Sequence, residues 1–102
     1  SSRDYEYLGC FNDNKYDRIL GYKMADAENT KADFCYDYCV DLGASWMATQ
    51  WSTECWCATE EELDYERHGE GAKCNYPCAG DEEQMCGGNS AFSLFRVGSS
   101  NR

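Results

Sequence analysis

Eight cysteines in 102 residues limit what this chain can fold into more than any other feature. The number is even and the density is high. A chain this short builds only a modest core, so the pattern points to a disulfide scaffold made in an oxidising compartment. The local spacings are informative. "CYDYC" sets Cys35 and Cys39 four residues apart, and "CWC" sets Cys55 and Cys57 two apart. The C-x-C of Cys55 and Cys57 matches neither the wider pairs of zinc knuckles nor the C-x-x-C of redox sites. Zinc sites also tend to recruit histidine, and His68 is the only one here. We therefore expect disulfides, no metal site and no cofactor.

The two spacings fit each other. On a helix, Cys35 and Cys39 lie one turn apart on one face, about 6 Å along the axis. On a strand, Cys55 and Cys57 point to one side, about 6.6 Å apart, and Trp56 points to the other. Two disulfides could therefore pin a helix flat onto a strand. Spacing alone leaves parallel and crossed pairing open, and eight cysteines allow on the order of a hundred connectivities.

The rest of the chain fills in around this clamp. "DYEYLGCF" reads as a first strand with Leu8 and Cys10 on one face. "NDNKYDR" is a polar loop, and "RILGYKM" holds a second short strand. A short helix is expected over 24–29. The main helix follows, with Thr30 as N-cap, Asp33 completing a weak capping box, and Gly43 ending it. Phe34, Cys35, Tyr38, Cys39 and Leu42 recur at helical spacing, and Tyr36 falls on the opposite, solvated side. "SWMATQWSTECWC" reads as a hairpin turning at 51–53. The acidic segment after it is a loop with one helical turn at 60–65; its carboxylates lack a calcium-loop spacing and read as solvated surface. Pro77, Gly80 and Gly87-Gly88 mark tight turns, with Asp81 supporting the one at Gly80. "AFSLFRV" is a last strand with Phe92 and Leu94 on one face, and residues 98–102 form a tail. Trp46, Met47 and Met85 are expected in the core.

The formal net charge is −10, which repels phosphate backbones and anionic membranes. Neutral ligands and basic proteins remain suitable partners. No apolar run approaches the length of a membrane span. There is no signal-peptide pattern either, so a mature or excised piece is expected. Aromatic residues make up 15% of the chain. A domain of this size cannot bury them all, so some should be left on the surface, where Tyr and Trp serve recognition.

Taken together, "YLGCFND", the R-x-L of Arg18 and Leu20, Cys35/Cys39, "MATQWSTECWC" and "CNYPCAGDEEQMCGGNSAFSLF" resemble the WSC domain, a cysteine-rich module of cell-wall sensors. The resemblance runs over residues 7–97, leaving 1–6 as a lead-in to the first strand. The family commonly carries glycine where this chain has Ser52 and Ala58. The resemblance implies an α+β fold similar to PAN/apple domains: a small antiparallel sheet, one main helix packed across it and four disulfides. The implied pairs are Cys10–Cys74, Cys35–Cys55, Cys39–Cys57 and Cys78–Cys86. It also implies a secreted or cell-surface carbohydrate-binding role, with cell-wall β-1,3-glucan as the favoured ligand and xylan as a further candidate.

The residues agree with that implication. Sugar rings offer C–H faces to aromatic side chains and hydroxyls to amides and carboxylates. The candidate contacts are Trp51, Trp56 and Tyr76, with Gln50, Glu54 and Asn75 beside them. Tyr16 and Tyr65, in polar loops, are weaker candidates. A protein-recognition or adhesion ectodomain, including self-association through the same aromatics, is the competing reading. An enzyme is not expected: one histidine in a loop, no phosphate-binding loop and no spare cysteine leave no catalytic constellation, and carboxylate pairs are easily found among 19 acids.

Overall fold

The computed structural model describes residues 3–98. Its main sheet has five antiparallel strands: β1 (Tyr5–Asn12), β2 (Tyr22–Asp26), β3 (Trp46–Gln50), β4 (Glu54–Ala58) and, last in the chain, β7 (Ala91–Val97). Their order across the sheet is β1-β7-β3-β4-β2. A two-stranded hairpin, β5 (Pro77–Cys78) and β6 (Asp81–Met85), stands apart. One helix, α1 (Ala32–Leu42), lies across one face of the main sheet. This is the α+β, disulfide-rich architecture that the cysteine pattern and the family resemblance implied.

Strand alternation divides the core in two. On the helix side, Met47 of β3, Cys55 and Cys57 of β4, and Phe95 and Val97 of β7 pack against Ala32, Cys35, Tyr36 and Cys39 of α1. On the other side, Trp46, Ala48, Ala58, Phe92 and Leu94 pack under Ile19, Leu20 and Leu63, which come from loops. The central strand β3 is therefore buried along its whole length.

Among the described residues no cysteine is free. The pairs are Cys10–Cys74, Cys35–Cys55, Cys39–Cys57 and Cys78–Cys86. The two helix-to-strand bridges run parallel, with Cα–Cα distances of 5.3 and 5.5 Å.

The helix ends as its sequence dictates and begins as it does not. Gly43 takes a left-handed φ of 79°. Its N–H donates to the Val40 carbonyl and that of Ala44 to the Cys39 carbonyl, a Schellman pair that satisfies the last turn. At the start, Thr30 is not the cap. The N-cap is Lys31, without a side-chain bond. Thr30 is fully buried and its hydroxyl donates to the Thr53 carbonyl. The orphan N–H of Ala32 donates instead to Oε1 of Gln84, from β6, which Asp81 holds in place. A tertiary contact has replaced a local one.

Other expectations are corrected for similar reasons. Tyr36 is buried, while Tyr38 and Leu42 are substantially exposed. The clamp fixes which stripe faces the sheet, and that stripe is 32, 35, 36, 39. No helix forms at 24–29, because Met24–Asp26 pairs with β4. No helical turn forms at 60–65 either; the segment carries Leu63 into the second core layer and turns only at 65–68. Leu8 stands at a β1 bulge and is partly exposed, and Met85 is 46% exposed on the β5–β6 hairpin. Trp46 and Met47 are core, as expected. Beyond Gly98 the expected C-terminal tail lies outside the described residues.

Two expectations follow for stability. Replacing Cys35 and Cys55 together by alanine should lower unfolding free energy by about 2–5 kcal/mol, measured as a lower urea midpoint; an unchanged midpoint would mean that the bridge does not hold the helix. The second concerns Tyr5, whose hydroxyl donates to Asp33 at 2.5 Å. Burial first, and that bond second, push the Tyr5 phenol up to about 12 from an ordinary 10.0. Folding thus favours the protonated phenol. Its contribution is complete below pH 10 and is lost as pH rises towards 12. Urea midpoints taken across that range should fall more steeply for the native chain than for Tyr5→Phe.

Candidate functional site

The β3–β4 tip is built on unfavourable backbone. Trp51 and Ser52 both take left-handed φ values, 56° and 71°, which for residues other than glycine costs about 1–3 kcal/mol each. The β5–β6 hairpin supplies the compensation. Ser52 N–H donates to the Cys86 carbonyl, Ala79 N–H donates to the Ser52 carbonyl, and the Ser52 hydroxyl donates to the Pro77 carbonyl. Gly87 closes against the same strand, at φ 70°; a Cβ there would stand 2.5 Å from the Thr49 carbonyl oxygen. Held this way, Trp51 remains 45% exposed. Its ring meets Tyr76 at 5.4 Å between centroids, tilted by 61°. Asn75, exposed, precedes Tyr76.

On its other flank Trp51 borders a cleft of about 410 Å³. Tyr16 and Asn14 come from the loop after β1, Asn89 and Ser90 from the turn before β7, and Gln50 from the end of β3. Tyr16 is 87% exposed. The loop is shaped locally: Asn14 Oδ1 accepts the Tyr16 N–H at 2.8 Å, and Asp13 N–H donates to the Ser90 carbonyl. Asp13 and Arg18, also in the lining, form an ion pair at 2.6 Å.

The remaining candidates lie elsewhere. Trp56 is half-buried on the second face of the sheet. Its indole N–H donates to Glu54 at 3.0 Å, and the Arg18 guanidinium lies over its ring, 4.7 Å from the centroid. The other Glu54 oxygen pairs with Lys23 at 3.5 Å. Tyr65 packs on Phe11 and Trp46. The structure thus brings Gln50, Trp51 and Tyr76 together at the tip, leaves Asn75 exposed beside Tyr76 in the chain, and draws Glu54 and Trp56 into an internal network. Asn14, Asn89 and Ser90 were not singled out from the sequence. The signals available were only the polar runs "NDN" and "GNS", common to any loop. Of the described residues, Cys35, Cys39 and Cys55 bring their sulfurs close enough to suggest a metal, but all three are in disulfides.

The family model of the WSC domain matches residues 7–88. A WSC domain-containing protein of Arthroderma benhamiae is 34% identical, over 90% of this chain and 10% of its own length. Protein SLG1 of Saccharomyces cerevisiae is 31% identical, over 93% of this chain and 24% of its own. Xylosyltransferase oxt of Drosophila melanogaster is 28% identical, over 89% and 10%. The chain therefore spans a quarter or less of these relatives.

If Arg18 is the lid of Trp56, Arg18→Ala should destabilise the domain by roughly 2–3 kcal/mol, because buried Asp13 loses its partner. Acrylamide quenching of tryptophan fluorescence should rise with it. Unchanged stability and quenching would show the stack to be incidental.

Proposed function

The chain belongs to the WSC domain family, and on that premise we propose that it is a non-catalytic carbohydrate-binding module of an extracellular or cell-surface protein. The ligand proposed is a cell-wall polysaccharide: β-1,3-glucan first, xylan second. The observation that carries the reading is Trp51. A large aromatic residue is kept half-exposed on strained backbone, although a smaller residue would make an easier turn. It stands between an aromatic neighbour, Tyr76, and a cleft lined with amides and hydroxyls. That combination suits a sugar ring, which is apolar on its faces and polar at its rim. A net charge of −10 does not oppose a neutral polymer.

The test is retention of the purified, oxidised domain on insoluble β-1,3-glucan, with xylan, cellulose and chitin in parallel. Selective retention, reduced at least about tenfold by Trp51→Ala, is expected. No retention on any polymer would overturn the proposal in favour of a protein-recognition ectodomain using the same surface. Hydrolysis of a polymer by the domain alone would overturn its non-catalytic character.

A further inference from the structure

Gln50 is a polar residue in an apolar place. It is 2% exposed and sits among Asp13, Leu20, Ala48, Trp56 and Phe92. Its amide can donate two hydrogen bonds and accept two. Asp13, the neighbour best able to take a donor, is engaged by Arg18 and by the Ile19 N–H. Among the described residues no side-chain hydrogen bond to the Gln50 amide forms. Among the described residues the only fully enclosed side-chain polar atom without a partner is Thr49 Oγ1, so the Gln50 amide keeps an outlet to solvent. Gln50 also lines the cleft between Trp51 and Tyr16. A buried amide with unused bonding capacity, opening into a cleft, is set to bind something polar and neutral.

From this we infer that the cleft takes one or two sugar units, that the Gln50 amide reads their hydroxyls, and that Tyr16 is an aromatic wall of the site alongside Trp51. The inference rests on the carbohydrate reading and sharpens it to a subsite and a ligand length. The size supports it: about 410 Å³ falls near the small end of ligand pockets, roughly 300–1,000 Å³, too little to enclose an extended chain. The electrostatics agree. Asp13 and Arg18 neutralise each other at 2.6 Å, and the remaining charge of the lining, the Lys15 ammonium, lies over the Tyr16 ring at 5.2 Å, so no cluster of like charges faces the cleft. Asn14 spends its carbonyl oxygen on the Tyr16 N–H, which leaves its NH₂ for a hydroxyl acceptor. The amides of Gln50, Asn14 and Asn89 thus furnish both donors and acceptors to a vicinal diol.

Calorimetric titration with β-1,3-linked glucose oligomers and β-1,4-linked xylose oligomers, from one to six units, tests this. The affinity should rise from one unit to two and then level off in the series that binds. Gln50→Leu, similar in size and without the amide, should weaken binding about tenfold. Tyr16→Ala should do the same; at 87% exposure it removes no core contact and guards against misfolding of the Gln50 variant. Tyr22→Ala, at an exposed position of β2 outside the cleft, should bind as the native chain does. If affinity climbs through six units, or if both variants bind unchanged while Trp51→Ala does not, the subsite is wrong and the glycan-binding module stands. If no oligomer and no polymer binds, the subsite falls together with the function on which it rests.

Discussion

Two parallel disulfides, Cys35–Cys55 and Cys39–Cys57, fix one turn of helix against two residues of strand, and the rest of the domain is arranged around that clamp. They decide which stripe of α1 is buried, which face of β4 is interior, and hence that Trp56 points to the other side. They also relieve a small core of part of its task, since each bridge limits the unfolded chain as well as holding the folded one. The clamp covers only one face of the sheet. The second is closed by loops that carry Ile19, Leu20 and Leu63 inward, which lets so polar a chain bury its central strand on both sides.

The β5–β6 hairpin serves both the helix and the candidate site. It caps the helix through Gln84 and braces the strained tip through the backbone of Pro77, Ala79 and Cys86. The Cys78–Cys86 bridge ties that hairpin's ends together. A tip that would be unfavourable alone is thereby held in one conformation, with Trp51 presented to solvent. Preorganisation of this kind reduces the entropy lost when a ligand is bound.

The second face shows how similar residue types take different tasks. Trp51 and Trp56 are five residues apart, and both have polar neighbours. Trp56 is roofed by Arg18 and bonded to Glu54, so its polar neighbours are satisfied within the protein. Gln50 and Asn89, beside Trp51, are left facing a cleft. The acidic surface contributes little to either arrangement, since Asp13 pairs with Arg18 beside the cleft and Glu54 with Lys23 beside Trp56.

The sequence by itself determined the framework. Cysteine spacing implied the helix-to-strand clamp, alternation implied β3, β4 and β7, Gly43 marked the helix end, and the family pattern supplied the disulfide connectivity. These signals are local, or are fixed by covalent geometry, and so survive without a partner in view. What needed the tertiary structure were features set by distant segments. Thr30 gave up its capping role because Thr53 and Gln84 lie beside it; Tyr36 rather than Tyr38 turned inward because the clamp sets the helix's rotation; 24–26 became strand because β4 offered an edge. The site divides the same way. Trp51 and Gln50 were legible as a polar–aromatic pair at a turn. That Gln50 is buried and its amide unpaired, that Tyr16 joins it in one cleft, and that Arg18 roofs Trp56 was decided only when segments more than thirty residues apart in sequence met at one end of the sheet, because burial and hydrogen-bond satisfaction belong to the neighbourhood and not to the residue.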